Sequence, residues 1–191
     1  MIAAAKIAYL QERIARYDDQ SAYKELFVLL YNPLLQFAAS FVKAKEPAEE
    51  IVSDVFMAIW EKRKRIDSIS NLKVYLYVAT KNTAINYLAR QNKLVTTNIA
   101  EMELEPESIY FNPEQLLITA EMGRRIREAV GQLPPKCQII FRLVKEDELK
   151  YREVAEILNL SVKTVENQLS IALRKIGAAI HFDIRKTISS M

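Results

Sequence analysis

Along almost the whole chain, apolar residues recur every three or four positions, the period of amphipathic helices. Turn residues interrupt the pattern and divide it into elements. Ser21 is suited to cap a helix that runs to about Lys45, kinked or broken near Asn32-Pro33. Glu46-Pro47 restarts the chain, and the next helix runs to about Arg65. "DSISN" (67–71) reads as a loop, followed by a helix from about Leu72 to Arg90. Residues 93–112, "KLVTTNIAEMELEPESIYFN", lack a sustained period and read as a tether. "NPEQ" (112–115) then restarts order: Asn112 as N-cap, Pro113 at the first helical position, Gln115 reaching back. That helix ends near Gly131. "LPP" (133–135) opens another to about Asp147, a short helix covers Tyr151–Leu158, and a last one opens at Val162. The expectation is an all-α chain of two small helical domains, 1–92 and 113–185, joined by the linker 93–112 and ending in a tail, 186–191.

The last segment, "LNLSVKTVENQLSIALRKI" (158–176), has two distinct sides. At 100° per residue, Val165, Leu169, Ala172 and Ile176 fall within about 60° of one another. Lys163, Asn167, Ser170 and Arg174 fall opposite, also within about 60°. Ser161 is a suitable N-cap. In "YREVAEIL", Val154, Ala155 and Leu158 share a side, and Ala155 is small enough for a close helix crossing. Asn159 tolerates the positive φ that a tight connection needs. This Ala, Asn and Val spacing predicts a helix-turn-helix, with a plain helical hairpin as the alternative. In a helix-turn-helix the second helix enters the major groove. Asn167 can then pair with an adenine edge, Lys163 with guanine or a phosphate, and Glu166 with a cytosine amino group. Lys150 and Arg152 open the first helix and can hold the backbone.

Composition narrows the chemistry. The 191 residues suffice for one large or two small domains, and with 3 Gly and 6 Pro they favour helices over sheets with many tight turns. A single Cys137 excludes an intrachain disulfide, and a single His181 leaves little for zinc or a His-based triad. No nucleophile–base pair or metal constellation stands out, so no enzyme, catalytic residue, cofactor, metal or small-molecule substrate is expected. The longest apolar stretch, Leu26–Val42, is interrupted by Asn32, Pro33, Gln36 and Ser40, whereas a membrane span needs about 20 mostly apolar residues. Lys6 within "MIAAAKIAYLQERIARY" argues against a signal peptide. A reducing, cytoplasmic setting is the expectation.

The net charge of +3 is segregated: −2 over residues 1–60, +6 over 61–93, −6 over 94–123 and +5 over 124–191. Two basic blocks flanking an acidic one suit a polyanion partner for the basic parts. The run Lys62, Arg63, Lys64 and Arg65 reads either as phosphate contact or as cations favoured at a helix C-terminus.

"LPPKCQIIFRLVKEDELKYREVAEILNLSVKTVENQLSIALRKI" (133–176) resembles the fourth conserved region of extracytoplasmic-function sigma factors. "EEIVSDVFMAIWEKRKRI" and "NLKVYLYVATKNTAINYLAR" resemble their second region, and the acidic stretch stands where that family has its linker. The helix-turn-helix alone is also similar to response-regulator output domains. "VATKNTAINYLAR" and the order of the two halves are what make the likeness specific. "KTVENQLS" resembles most the iron-citrate or polysaccharide-uptake subgroup, often held by a membrane anti-sigma protein. The resemblance implies a transcription initiation factor whose partners are core RNA polymerase, promoter DNA and an anti-sigma factor.

By position, the resemblance assigns the minus-35 element to Lys150, Arg152, Lys163, Thr164, Glu166, Asn167, Ser170 and Arg174. It assigns the minus-10 element to Ile66, Asn71, Lys73, Tyr77, Lys81 and Asn82, with Ile66 and Asn82 lining a pocket for a flipped base. Lys73, Tyr77 and Lys81, at i, i+4 and i+8, form a cationic stripe with one aromatic, suited to a single strand; Tyr77 can equally be core. Tyr75, Leu76, Val78, Ile85 and Leu88 read as core. Glu50, Ser53, Asp54 and Met57 are assigned to the polymerase, on a helix that buries Ile51, Val55, Phe56 and Ile59. Glu101, Glu103, Glu105 and Glu107 would mimic nucleic-acid charge inside a basic channel, or simply solvate a tether. Three departures stand out: Glu148 where relatives often have Gly, Gln168 where they often have His, and aliphatic Ile66 where some have an aromatic. The competing readings are a stand-alone DNA-binding regulator using only the second domain, and a helical scaffold without DNA.

Overall fold

The computed structural model describes residues 2–91 and 120–189, with side chains described for 4–91 and 123–179. These residues are helical throughout, apart from short connections. The chain divides into two compact units, the first carrying the helices before residue 97 and the second the bulk of the later ones.

The first unit is built from α1 (Ile2–Tyr17), α2 (Gln20–Val42), α3 (Lys45–Glu61), a 3₁₀ helix (Arg63–Ser68) and α4 (Leu72–Arg90). Ile7, Leu10, Gln11 and Ile14 bury one face of α1. Asp19, not Ser21, caps α2: its Oδ1 accepts from the Ser21 and Ala22 amides at 2.9 and 3.1 Å. Its Oδ2 accepts from Arg13 at 2.8 and 3.0 Å. These contacts, led by the Ala22 amide, hold the Asp19 carboxyl below its usual range.

Of the kink or break expected near Asn32-Pro33, the break does not occur: α2 continues through Pro33 as one helix. A mid-helix proline costs about 3 kcal/mol. Here burial of Leu26, Leu30, Leu34, Phe37 and Phe41 against α1, α3 and α4 offsets that cost. By length and composition alone α2 could pass for a membrane span, but its apolar stripe is the core of this bundle. It ends at Lys43, whose φ of 55° gives a left-handed cap with its amide on the Ala39 carbonyl at 2.9 Å.

Aromatic contacts tie α2 to α3. Tyr23 donates its hydroxyl to the Phe56 carbonyl at 2.9 Å, and its ring lies 4.8 Å from Trp60. Phe27 lies 4.8 Å from Phe56. The third helix stops at Glu61, four residues before the expected end, and Arg63 to Ser68 wind as 3₁₀. Asp67 and Ser68 therefore belong to that helix and not to a loop.

The second unit contains α5 (Ala120–Gly131), α6 (Pro135–Lys145), α7 (Tyr151–Leu158) and α8 (Val162–Ser189). Helices α5 and α6 both pack on α8. Its core includes Val130, Leu133, Ile139, Ile140, Leu143 and Leu149. The linker acids Glu101, Glu103, Glu105 and Glu107, the expected cap at Asn112 and the side chain of His181 lie outside the described residues.

Candidate nucleic-acid interface

The connection between α7 and α8 is determined locally. At the start of α7 the Glu153 carboxylate accepts from the Lys150 amide at 2.7 Å, closing the first turn. At its end Asn159 takes φ 54°, and the Leu160 amide donates to the Ala155 carbonyl at 2.9 Å, a Schellman-type stop. Two residues on, the Ser161 hydroxyl oxygen accepts from the Thr164 amide at 3.0 Å and meets the Thr164 hydroxyl at 2.8 Å. That starts α8. Val165, Leu169, Ala172 and Ile176 are all buried.

Opposite them Lys163, Asn167, Ser170 and Arg174 are exposed. They form a polar face about 16 Å long at 1.5 Å per residue. Thr164 is spent partly on the cap. Glu166 lies 3.6 Å from the Lys163 ammonium, so the two neutralise each other in part. The Ser170 hydroxyl donates to the Glu166 carbonyl at 2.9 Å, which leaves its oxygen as an acceptor. Lys150 and Arg152 are exposed at the start of α7. Gln168 is partly buried and accepts from the Cys137 thiol at 2.9 Å, joining α8 to α6. Burial raises the Cys137 thiol above its usual range.

In the first unit two of the expected minus-10 residues turn inward. Tyr77 is fully buried, its ring edge-on to Phe37 at 5.1 Å, so it cannot stack on a base. Ile66 is 2 % exposed, held in the core by the 3₁₀ turn rather than lining a surface pocket. The stripe Lys73, Tyr77 and Lys81 therefore runs along the packed side of α4. Lys73 and Lys81 are partly buried, and burial lowers the Lys81 ammonium below its usual range.

Asn82 and Asn71 are exposed. The Asn71 side-chain oxygen accepts from the Val74 amide at 3.2 Å and caps α4. Within the basic run, Arg63 is bound internally. It pairs with Asp18, donates to the Trp60 carbonyl at 3.0 Å and stacks over the Trp60 ring at 4.6 Å. Lys62, Lys64 and Arg65 are exposed.

On α3, Glu50, Ser53, Asp54 and Met57 are exposed. The Ser53 hydroxyl donates to the Glu49 carbonyl at 2.8 Å. Glu50 and Asp54 line one wall of a groove of about 370 Å³, whose other wall is α4 through Tyr75, Thr83, Tyr87 and Arg90. Tyr75, expected in the core, is 42 % exposed there. The α4 wall escaped the sequence reading because its residues mix aromatic, small and polar types. Only the i, i+4, i+8, i+12 spacing of Tyr75, Ala79, Thr83 and Tyr87 marks it.

The geometry can be set beside known proteins. The profile of sigma-70 region 2 matches residues 26–94, and that of sigma-70 region 4 matches residues 123–176. Together they span well over half of the chain. The chain belongs to the sigma-70 family. The ECF RNA polymerase sigma-E factor of Escherichia coli K12 is 24% identical over 185 residues, 93% of this chain and 95% of its own. RNA polymerase sigma factor YlaC of Bacillus subtilis is 25% identical over 150 residues, 78% of this chain and 87% of its own. Two solved structures share the fold. The sigma factor RpoE in complex with the anti-sigma factor NepR, from Bartonella quintana, has a TM-score of 0.56 at 20% identity, covering 84% of this chain and 98% of that one. CnrH in complex with the cytosolic domain of CnrY has a TM-score of 0.56 at 21% identity, covering 93% and 99%.

The protein is thus a sigma factor of the extracytoplasmic-function class, a transcription initiation factor and not an enzyme. It works with core RNA polymerase at promoter DNA. The region 4 match takes in α7 and the first half of α8, the helix-turn-helix, and the region 2 match runs from within α2 through α4. Helix α1 lies outside both matched stretches.

Proposed function

We propose that this sigma factor grips its promoter at two points, with separate residues for each. The exposed face of α8 reads the minus-35 element. Asn167 and Arg174 face base edges, and Lys163, Lys150 and Arg152 hold phosphates. Thr164, Glu166 and Ser170 frame that face through their contacts within the helix. Region 2 takes the minus-10 strand along the first half of α4, with Asn82 and Asn71 presented to an extruded base and Lys73 and Lys81 to the backbone. The α3 residues Glu50, Ser53, Asp54 and Met57 dock the polymerase, and Tyr75 across the groove extends that patch. The domains run 1–92 and 113–185, and the acidic tether 93–112 lies between them. The observation carrying this reading is the separation on α8 of a buried apolar stripe from an exposed polar face of Lys163, Asn167, Ser170 and Arg174.

The factor acts in the cytoplasm and belongs to the iron-citrate or polysaccharide-uptake subgroup, a reading supported by "KTVENQLS" (163–170). An anti-sigma protein restrains it, as fits its likeness in fold to a sigma factor solved with such a partner. Transcription from genomic DNA by core polymerase plus this chain, followed by transcript sequencing, is the test. The expected result is a small set of start sites sharing two elements. Starts indistinguishable from those of core alone would refute the reading. The stand-alone regulator is tested by Glu50→Ala with Asp54→Ala, which should abolish core binding and leave minus-35 DNA binding intact.

A further inference from the structure

The start of the turn between α3 and α4 is held by the N-terminal helix. Gln11 of α1 is buried, and its side-chain nitrogen donates to two backbone carbonyls, Ile66 at 2.6 Å and Ile69 at 2.8 Å. Both acceptors are carbonyl oxygens, so the amide must present its NH₂ there, and that group has two hydrogens to give. The Ile66 carbonyl also accepts from the Ile69 amide at 2.9 Å, closing the 3₁₀ turn. A single side chain thus pins both ends of the turn over Asp67 and Ser68. Outside it, Arg16 of α1 reaches Asp67 at 3.4 Å, and Asp18, just after α1, pairs with Arg63. The contact spans 55 positions of sequence, and α1 lies outside the stretch matched to region 2.

We propose that Gln11 is a positioning residue for promoter opening, through which α1 sets the shape of the 66–71 turn that leads into the minus-10 reader. This deepens the reading of α4 given above and rests on it. A base leaving the duplex must be met by a surface already in place, because ordering a loop at that moment adds to the barrier. The buried amide supplies that order, and neither an apolar nor an acidic side chain of similar shape can replace it. Methionine has no donor. Glutamate would point oxygens at two carbonyl oxygens.

Gln11→Met and Gln11→Glu, in the full chain with core polymerase, test this. Three things are measured: hydrogen exchange at the Ile69 amide, opening rate on duplex and on pre-opened promoter, and preference among minus-10 bases. The expected result is faster exchange at Ile69 and opening of duplex DNA slowed about tenfold, the scale of losing two buried hydrogen bonds. Minus-10 base preference should be weakened, and core binding, minus-35 binding and use of pre-opened DNA should stay near parental. Equal losses on duplex and pre-opened promoter, or unchanged exchange and opening, would overturn the proposal. If neither variant folds, Arg16→Ala with Asp67→Ala removes the Arg16–Asp67 tie alone and must show the same pattern more weakly; its absence overturns the proposal too. Asn82→Ala, run alongside, separates two failures. If it also leaves minus-10 preference unchanged, the assignment of the minus-10 reader is wrong. If it alters preference while the Gln11 variants do not, only the brace is wrong.

Discussion

The two regions proposed to read the promoter in this sigma factor are built in opposite ways. The α7–α8 turn is made from its own neighbours: Glu153 on Lys150, Leu160 on Ala155, Thr164 on Ser161. No contact in that set spans more than a few residues. The 63–71 turn instead depends on distant partners, with Gln11, Arg16 and Asp18 arriving from the N-terminal end. A reading head built locally can be recognised from a short window of sequence. One built by packing cannot, because the residues that shape it do not look functional.

The sharpest way to break this contrast is at Tyr77. As an open stacking ring it would cost DNA binding and no stability when lost. As the core residue of this structure, Tyr77→Ala should destabilise the fold by about 3–5 kcal/mol, the range for a buried large aromatic. Denaturant unfolding measures this directly. Parental stability together with loss of minus-10 affinity would return Tyr77 to the DNA surface.

The next effect is smaller and lies on the locally built side. Asn167→Ala should cost about 1–3 kcal/mol of minus-35 affinity and relax preference at one base position. Lys163→Ala should weaken binding on all sequences alike and lower the salt slope by about 1. Titrations of duplexes at several salt concentrations separate the two. If Lys163→Ala changed sequence preference and Asn167→Ala did not, the division between base and phosphate contacts would be reversed.

The same contrast explains what could be read from sequence. The α8 faces, the left-handed Asn159 and the Ser161 cap were legible because each depends on residues within one or two helical turns. Ile66 was misplaced, and Tyr77 stayed open between strand contact and core, because position along a helix gives no account of what packs above it. Tyr75 was misplaced in the other direction, since an aromatic in an apolar run reads as core although α3 leaves it open at the groove. Pro33 read as a kink or a break because its local cost is plain, whereas the burial that keeps the helix continuous comes from three other helices. Asp19 outcompeted Ser21 as the α2 cap because its carboxylate takes two amides and Arg13 together. Gln11 carried no signal, being one polar residue on an amphipathic helix.

If α8 is started locally, its cap should matter in isolation from the rest of the chain. Ser161→Ala should lower stability by about 1 kcal/mol, and Ser161→Asp, which keeps an acceptor for the Thr164 amide, should restore most of it. Urea unfolding monitored in the second unit measures both. Equal losses from Ala and Asp would mean that the hydroxyl contact with Thr164, rather than the cap, is what Ser161 supplies.

The smallest effect concerns the two left-handed residues that flank α7, Glu148 and Asn159, both at φ 54°. An ordinary L-residue in that region carries a steric cost of about 1–2 kcal/mol, while Asn tolerates it and Gly carries none. Glycine also gains freedom in the unfolded chain, which cancels part of the benefit. Glu148→Gly should therefore stabilise by about 0.5–1 kcal/mol, and Asn159→Gly should be nearly neutral. The backbone at Glu148 thus keeps a left-handed turn that its side chain disfavours and that a glycine would take without cost. Thermal unfolding of the two variants side by side measures the gap. If Glu148→Gly were neutral or destabilising, the exposed Glu148 side chain would have to contribute a favourable contact comparable to its backbone cost, and the turn before α7 would depend on more than its local conformation.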